Sequence, residues 1–263
     1  MLIPELKNIV ELACGTNHVL ARNNKGKVFA WGAGEQSQLA RRVVSRTAIG
    51  ALVPREFGLQ RKSIVHIGCG DYHSFAVDKN GDVYAWGLNT FGETGIEKES
   101  EDDNTVSAPT KVENLKEYNV KQIVGGAHHT LSCTETGQVL FWGRIDNHRG
   151  GMDVDEMPKD KLFFDEHGKP RFLKEPVVLP ELKGKFVATA TDTCIVITQD
   201  GKAFSWGFST NYQTGQGTDD DIEEATLIDN TAVRGKKLIF AGLGGQFGIV
   251  GGIHEDDVMT NGI

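Results

Sequence analysis

Apolar and polar side chains alternate in short stretches of this chain, and glycine-containing turns separate the stretches. One pattern returns four times, as KGKVFAWGAG, NGDVYAWGLN, TGQVLFWGRI and DGKAFSWGFS. The tryptophans of the four copies, Trp31, Trp86, Trp142 and Trp206, are 55, 56 and 64 residues apart. Alternation over about five residues between turn signals is typical of half-buried strands. The chain is therefore predicted to be an internal repeat built from β-strands.

A tight turn precedes each of these strands and centres on a glycine. Two turns read Asn80-Gly81 and Asp200-Gly201, pairs that tolerate the positive φ angles of a two-residue hairpin loop. An apolar strand and a Gly-x-x-His step come earlier in the first three repeats. In the fourth repeat Ala190 and Thr193 stand in place of the glycine and the histidine.

Each repeat thus reads as three strands, followed by a variable segment that returns through a proline and a valine as a fourth. Four such strands make one propeller blade, which buries its faces only against neighbouring blades. We predict an all-β propeller of about four four-stranded blades plus a partial blade. The predicted boundaries within the single domain 1–263 are 7–61, 62–118, 119–183, 184–235 and 236–253, with a disordered tail at 254–263.

The first repeat already has the strands that a last, partial repeat would need to supply for ring closure. We therefore expect an incomplete ring with almost no helix. The recurrent tryptophans are expected to pack blades together. His18, His73 and His129 recur at one repeat position and are expected to brace the turns by hydrogen bonding.

The amino-acid composition of the chain disfavours some classes of binding partner. The net charge of −8 and a pI near 5.5 disfavour a general nucleic-acid binder, which normally presents a basic face. Charge is concentrated in 97–103 (EKESEDD), in 219–224 (DDDIEE) and in the longer segment 144–171, which contains Asp146, His148 and His167. Such runs are interpreted as solvated loops. The sequence has no long apolar run or signal peptide, so a soluble intracellular protein without a membrane partner is expected.

Metal and cofactor chemistry are not predicted. The cysteines, Cys14, Cys69, Cys133 and Cys194, lie in or beside apolar strands and are interpreted as buried thiols rather than disulfides. The Cys-x-x-x-His pairs at Cys14 and Cys69 recur one blade apart, which disfavours a common zinc centre. Gly242-Leu243-Gly244-Gly245 lacks the lysine and hydroxyl residue of a phosphate-binding loop. The residues show no nucleophile with a base and an orienting group, so no covalent chemistry is expected.

The Gly-x-x-His step, the Gly-x-Val-Phe-x-Trp-Gly strand and the terminal Gly244-Gly245-Gln246-Phe247 together resemble the regulator of chromosome condensation family. Its members are seven-bladed propellers, and its founding member is the guanine-nucleotide exchange factor of the small GTPase Ran. The resemblance covers nearly the whole chain and is closest to fungal-type exchangers. It implies the C-terminal part of an exchanger, with about three further repeats before it. The segment from Gly34 to Leu39, with Arg41 and later Leu52-Val53-Pro54, resembles one specific blade.

The resemblance also implies which residues face the GTPase, namely Asn17, Arg41, Asp71, His128 and Phe247. Asn17 stands where the exchanger has an aspartate, and Phe247 stands where many members have a histidine. The implied function is exchange on Ran without covalent chemistry, in the nucleus, supporting nucleocytoplasmic transport and mitosis. Histones or chromatin are possible partners through parts of the protein outside this chain. The alternative is a non-catalytic propeller scaffold, which these two departures favour.

Overall fold

Sequence-adjacent strands pair in antiparallel order and form successive blades. The computed structural model describes residues 3–43, 48–98, 103–146 and 149–254. Blade 1 consists of β1 (Ile9–Cys14), β2 (His18–Asn23), β3 (Val28–Gly32) and β4 (Arg55–Glu56). A single helical turn, α1 (Ala48–Ala51), precedes β4.

Blade 2 repeats this arrangement with longer outer strands. It consists of β5 (Ile64–Cys69), β6 (His73–Asp78), β7 (Val83–Leu88) and β8 (Thr105–Lys111). A 3-10 turn at Glu113–Leu115 leads to the next blade.

Blades 3 and 4 share one continuous strand, β13 (Pro170–Ala190), which is 21 residues long. Its first half pairs with β11 and its second half pairs with β14. The other strands are β9 (Val120–Gly125), β10 (His129–Thr134), β11 (Gln138–Arg144), β12 (Leu162–Phe164), β14 (Thr193–Thr198), β15 (Ala203–Gly207) and β16 (Ile222–Leu227). Because β12 pairs with the start of β13, blade 3 has a fifth, outermost strand. The segment 144–171 therefore adds a strand and one 3-10 turn, Val154–Glu156, to the blade.

The last described strands, β17 (Lys236–Leu243) and β18 (Gly248–His254), form a two-stranded sheet. Four blades and this partial blade confirm the predicted all-β architecture. The innermost strands β1, β5, β9 and the second half of β13 lie side by side and line an open space of about 520 Å³. The proposed repeat boundaries stay a prediction. The residues 99–102 of the acidic run, His148, and the expected tail after His254 lie outside the described residues.

The hairpin turns differ from the predicted two-residue type. Gly81 has φ 81°, and its N–H donates to the carbonyl of Asp78, while the N–H of Asp78 donates to the carbonyl of Asp82. Among the described residues with positive φ, Asn80 and Asp200 do not appear. The loop is therefore a three-residue turn that ends in a left-handed glycine, which needs a positive φ at one residue rather than at two.

Hydrogen bonds between blades follow one scheme. The Trp86 indole N–H donates to the Gln38 carbonyl of the preceding blade at 2.8 Å, and the Ser74 hydroxyl donates to the same oxygen at 3.2 Å. One blade later, Trp142 and Thr130 donate to the Glu93 carbonyl at 3.0 and 2.7 Å.

The third junction keeps the tryptophan bond, with the Trp206 indole 2.8 Å from the Arg149 carbonyl. Trp86, Trp142 and Trp206 are fully buried, whereas Trp31 is half-buried. The largest buried apolar cluster joins side chains from blades 2, 3 and 4, so the core lies between blades. The structure therefore shows the recurrent tryptophans packing blades together.

The recurrent histidines join blades rather than brace the turns of their own blade. His18 Nε2 lies 2.8 Å from Ser74 Oγ, and His73 Nε2 lies 3.1 Å from Thr130 Oγ1. Each hydroxyl already donates its proton to a loop carbonyl, so each must accept from a protonated Nε2. Burial lowers the pKa of His18 to about 4, and the ring is therefore neutral at pH 7.

The glycine of the Gly-x-x-His step is required because the imidazole packs on it. A Cβ at Gly126 would lie 2.6 Å from His129 Nε2, closer than carbon and nitrogen approach without bonding. In the fourth repeat the smaller side chain of Thr193 leaves room for the methyl group of Ala190. The two replacements in that repeat therefore compensate for each other.

Three of the four cysteines are buried and all four are free, as predicted, but Cys14 is exposed. Cys14 ends the innermost strand of blade 1 and faces the open central space. Burial raises the pKa of the Cys133 thiol to about 11 and that of Cys194 to about 12. These two thiols are protonated at pH 7 and therefore poor nucleophiles.

Replacing Trp142 with Phe should destabilise the fold, because it removes the indole N–H bond to the neighbouring blade and leaves unfilled volume. We expect a loss of about 1–3 kcal/mol in the free energy of unfolding. The matched control is Trp31→Phe, at a half-buried ring, with an expected loss below about 1 kcal/mol. Urea unfolding of both variants checks this, and equal losses would contradict the proposed role of the indole bond.

Candidate functional site

Antiparallel order places two sets of connections on the same face of the blades. Neighbouring strands alternate in direction, so the first turn of each blade and the connection between its third and fourth strands emerge at one end. The glycine hairpins between the second and third strands emerge at the opposite end. Asn17, Asp71 and His128 lie in first turns, and Arg41 lies in the connection between β3 and β4. The topology therefore brings these four candidates to one face.

Backbone hydrogen bonds link the first turns to one another. The Thr16 N–H donates to the Asp71 carbonyl at 3.2 Å, and the Asp71 N–H donates to the Gly126 carbonyl at 2.9 Å. The Ala127 N–H then donates to the Thr191 carbonyl at 2.7 Å. We call the four linked turns, 15–17, 70–72, 126–128 and 190–192, the rim.

The Trp-Gly step fixes the residue at the tip of each rim turn. In blade 3 the Arg144 N–H donates to the His128 carbonyl at 2.9 Å, and in blade 1 the Ala33 N–H donates to the Asn17 carbonyl at 2.7 Å. Gly143, between Trp142 and Arg144, has φ 92°, and a Cβ there would lie 2.6 Å from the His128 carbonyl oxygen. Only glycine tolerates both the positive φ and the close approach of the carbonyl oxygen. The glycine after each tryptophan therefore allows the backbone hydrogen bond that holds the rim turn.

Asp71 and Asn17 occupy adjacent rim turns. Asn17 is exposed and Asp71 is half-buried. Burial raises the pKa of the Asp71 carboxyl, and a hydrogen bond with the Thr16 side chain opposes that rise. The negative charge of Asp192 raises this pKa further, while His128 lowers it. Three of the four rim turns therefore act electrostatically on one carboxyl.

His128 is held by a buried carboxylate and an aromatic ring. Its Nδ1 lies 3.3 Å from Glu93 Oε1, and the Glu93 side chain is fully buried. The Phe91 ring meets the imidazole edge-on with a centroid separation of 5.0 Å. Phe91 is positioned in turn because its N–H donates to Glu93 Oε2 at 2.6 Å. The site thus fixes the orientation of the imidazole on the rim.

Phe247 has a different repeat position from the other candidates. The Gly244 N–H donates to the Phe247 carbonyl at 2.9 Å, as Gly126 donates to His129. Phe247 is therefore the equivalent of the blade-joining histidines, and Gln246 takes the rim-tip position. The Phe247 side chain is 61% exposed, because no described blade packs against it. Its contact with a GTPase stays a prediction.

The Arg41 guanidinium is engaged within its own blade. It donates to the carbonyls of Ala30, Ala51 and Val53 at 3.0, 3.1 and 3.2 Å. Burial lowers the pKa of Arg41, and the nearby Arg55 lowers it further. The side chain therefore holds the connection between β3 and β4, and a role in GTPase contact stays a prediction.

The sequence analysis missed an ionic network that supports the rim. The Arg149 guanidinium forms two bonds to the Asp192 carboxylate, at 2.5 and 2.6 Å, and a third at 2.9 Å to Asp146. Arg144 also pairs with Asp146. The pKa of the Asp192 carboxyl is held below its usual value, since the bonds and charge of Arg149 outweigh the effect of burial. Asp192 takes the position of Asn17 and His128 in the degenerate fourth repeat, and that alignment was the available signal.

The rim offers oriented charges and dipoles for binding a partner. In the described part of the chain, no group of three or more His, Cys, Asp or Glu side chains is arranged to hold a metal ion. No described helix is long and apolar enough to cross a bilayer. The linked backbone fixes the spacing of Asn17, Asp71, His128 and Asp192 before any partner binds. Such preorganisation lowers the entropic cost of binding.

Comparison with known proteins agrees with this architecture. The chain is 42% identical over 268 residues to Protein pim1 of Schizosaccharomyces pombe, covering 100% of this chain and 49% of that protein. It is 37% identical to the guanine nucleotide exchange factor SRM1 of Saccharomyces cerevisiae, covering 95% of this chain and 52% of that protein. The chain spans about half the length of these curated relatives.

Among solved structures, Prp20p of Saccharomyces cerevisiae superposes with a TM-score of 0.89 at 36% identity, covering 99% of this chain and 60% of that one. The fold is that of a β-propeller built from four-stranded blades. The family described as RCC1-like domain matches residues 1–250. The chain belongs to this family.

Replacing Arg149 with Met should destabilise the fold, because it leaves the Asp146 and Asp192 carboxylates without their shared partner. Arg149 is 4% exposed, so we expect a loss of about 3 kcal/mol, at the low end of values for broken buried pairs because Asp192 is partly exposed. The pair stabilises the fold above the ordinary aspartate pKa of 3.8 and loses its effect as pH falls through the lower folded value.

Unfolding free energies between pH 7 and pH 3 check this expectation. The difference between wild type and variant should shrink as the pH falls. Lys202→Met, at an exposed ion pair with Asp200, is the control and should change the stability little. A difference that stays constant with pH would contradict the assigned role of Arg149.

Proposed function

We propose that this chain carries the GTPase-facing rim of a guanine-nucleotide exchange factor for Ran. The observation that carries the proposal is the rim itself, a row of turns fixed by backbone bonds with Asn17, Asp71, His128 and Asp192 on one face. The relative SRM1 is a guanine nucleotide exchange factor by name. A structural report on Prp20p names Gsp1p and histones as its binding partners.

The physical basis of exchange is differential affinity. A factor can bind the nucleotide-free GTPase more tightly than the nucleotide-bound form. The difference between these two binding free energies is the amount by which the factor weakens nucleotide binding. No covalent step is needed, so the protein is a regulatory factor without covalent chemistry. A rim that is rigid before binding favours this mechanism, because little of the binding free energy is spent on ordering it.

The rim residues differ in the charge that they present to a GTPase. Asp71 presents a carboxylate that competes for the GTPase groups that hold phosphate or magnesium, whereas the Asp192 carboxylate is already paired with Arg149. His128, fixed by Glu93 and Phe91, presents Nε2, which makes no bond to another described residue. Asn17 contributes an amide of similar shape to aspartate but without charge. Release is therefore favoured by an imidazole that lies on the rim between the turns of Asp71 and Asp192.

The same proposal places the protein in the nucleus, where exchange on Ran supports nucleocytoplasmic transport and chromatin-linked mitotic functions. Histones or chromatin are contacted through parts of the protein outside this chain. The net charge of −8 disfavours general nucleic-acid binding by this chain. A scaffold without exchange activity is the alternative that the departures at Asn17 and Phe247 favour.

Replacing His128 with Ala in the full-length protein should lower the maximal rate of nucleotide release from Ran by about tenfold, equivalent to about 1.4 kcal/mol. The reason is the loss of the oriented imidazole from the rim. The measurement is release of a fluorescent nucleotide at several factor concentrations. Glu135→Ala is the control, in the hairpin of the same blade on the opposite face, with a side chain 65% exposed.

Wild-type protein that neither accelerates release above the spontaneous rate nor forms a complex with nucleotide-free Ran would refute the exchange function. The scaffold alternative would then stand. Equal effects of His128→Ala and Glu135→Ala would instead remove His128 from the mechanism.

Replacing Asn17 with Asp should raise the rate of release, because it restores a carboxylate next to Asp71 on the rim. The control is Asn24→Asp, an equal change of charge in the exposed hairpin of the same blade on the opposite face. The same release assay measures both variants. An unchanged or lower rate for Asn17→Asp, or an equal rise in the control, would contradict the role assigned to this position.

A further inference from the structure

A row of aromatic rings runs outward from the rim across blade 3. Phe91, which contacts His128, meets Phe172 at a centroid separation of 6.1 Å. Phe172 in turn stacks on Phe163 with a separation of 4.6 Å and an interplanar angle of 15°. We call Phe91, Phe172 and Phe163 the aromatic ridge. Phe172 opens β13 and Phe163 lies in β12, so the ridge depends on the extra strand of blade 3.

The ridge is anchored at its inner end and exposed at its outer end. The Arg144 guanidinium lies 5.0 Å from the centre of the Phe91 ring, and the same side chain pairs with Asp146. At the outer end, 39% of Phe163 is exposed to solvent. Aromatic rings with fixed geometry and exposed area are enriched at protein interfaces and among their strongest contacts.

A groove of about 850 Å³ lies beside the ridge, between the β12–β13 hairpin and the loop after β7. Phe163 and Phe172 form its apolar wall, with Thr90 and Ile96 opposite. Lys98 lines the groove and donates to the Thr90 carbonyl at 3.0 Å, and Lys174 on the hairpin is exposed. Glu97 and Glu175 also line the groove, so the formal charges of its lining balance. The groove therefore suits an apolar side chain.

The ridge begins on the rim face of the protein, and the groove extends from there to Asn114, in the 3-10 turn that follows β8. The loop after β7 and the segment between β11 and β13 are both connections between third and fourth strands, and these emerge beside the rim turns. The contacts from His128 through Phe91 and Phe172 to Phe163 are continuous. A partner that covers His128 therefore lies next to the groove.

We propose that the aromatic ridge and its groove form a second contact surface for the same GTPase, separate from the rim residues that promote release. The proposal rests on the proposed exchange function. The GTPase inserts one apolar surface side chain against Phe163 and Phe172. This surface contributes to affinity in both nucleotide states, so it changes the concentration that the factor needs and not its maximal rate.

Two neighbouring phenylalanines give a matched test. Phe163 lines the groove and is 39% exposed, whereas Phe164 is 41% exposed and is not among the groove-lining residues. Phe163→Ser and Phe164→Ser remove the same apolar group from one short strand. Both are made in the full-length protein, and release of fluorescent nucleotide from Ran is followed over a range of factor concentrations. Thermal unfolding verifies that both variants fold.

Phe163→Ser should raise the half-saturating concentration by roughly three- to tenfold and leave the maximal rate unchanged, since interface side chains of this kind carry contributions of that size. Phe164→Ser should stay within about twofold of wild type. Three results would refute the ridge as a contact surface while leaving the exchange function in place. These are equal curves for Phe163→Ser and wild type, equal effects of both variants, and a lowered maximal rate for Phe163→Ser. A wild-type protein without exchange and without a Ran complex would instead refute the exchange function, and the ridge with it.

Discussion

Each blade is fastened to the preceding one through a loop carbonyl that lies between them. The carbonyls of Gln38 and Glu93 each accept an indole N–H and a hydroxyl from the next blade. A buried carbonyl without a partner costs free energy comparable to a lost hydrogen bond. The rest of the structure depends on the hydrogen bond from the indole N–H to the loop carbonyl, because this bond fixes the angle and height of one blade relative to the next. Apolar contacts alone would allow blades to slide, since they have little directional preference.

The same arrangement supports the candidate site. The loop that offers its carbonyl to the next blade also carries side chains that reach the rim. Glu93 accepts the Trp142 indole through its backbone while its carboxylate holds His128. Arg149 accepts the Trp206 indole and orients Asp192 in the same way. Packing between blades and orientation of the rim are therefore properties of the same residues, and a change in one alters the other.

Repetition made the fold predictable from the sequence, and departures from repetition limited the prediction. The recurring Trp-Gly strand indicated the blades, and antiparallel topology then put the rim turns on one face. The extra strand β12 could not be anticipated, because it occurs once and its residues, Leu162–Phe164, pair with the start of β13. Burial of Cys14 was expected because it lies in an apolar strand, but Cys14 is exposed, whereas Cys69 at the end of the next innermost strand is buried.

The site was predicted less completely than the fold. The family resemblance identified Asn17 and His128 as candidates, and the structure shows that they take the same position in their repeats. Aligned repeats did not identify Arg149, which acts through a contact with Asp192 across 43 residues of sequence. Nor did they show that the recurrent histidines join adjacent blades, because a single repeat does not contain both partners of that bond. The repeat pattern predicted that the tryptophans pack blades together, but it did not predict the individual side-chain bonds between repeats.

The most direct test of the account is to map which face of the propeller the GTPase covers. Hydrogen–deuterium exchange of the full-length protein is measured with and without nucleotide-free Ran. It shows, for each segment of the chain, whether the backbone is protected by the GTPase. The account predicts slower exchange in the rim turns 15–17, 70–72, 126–128 and 190–192. It also predicts unchanged exchange in the glycine hairpins around Gly26, Gly81, Gly137 and Gly201, which lie on the opposite face. Protection of those hairpins with no change at the rim would contradict it.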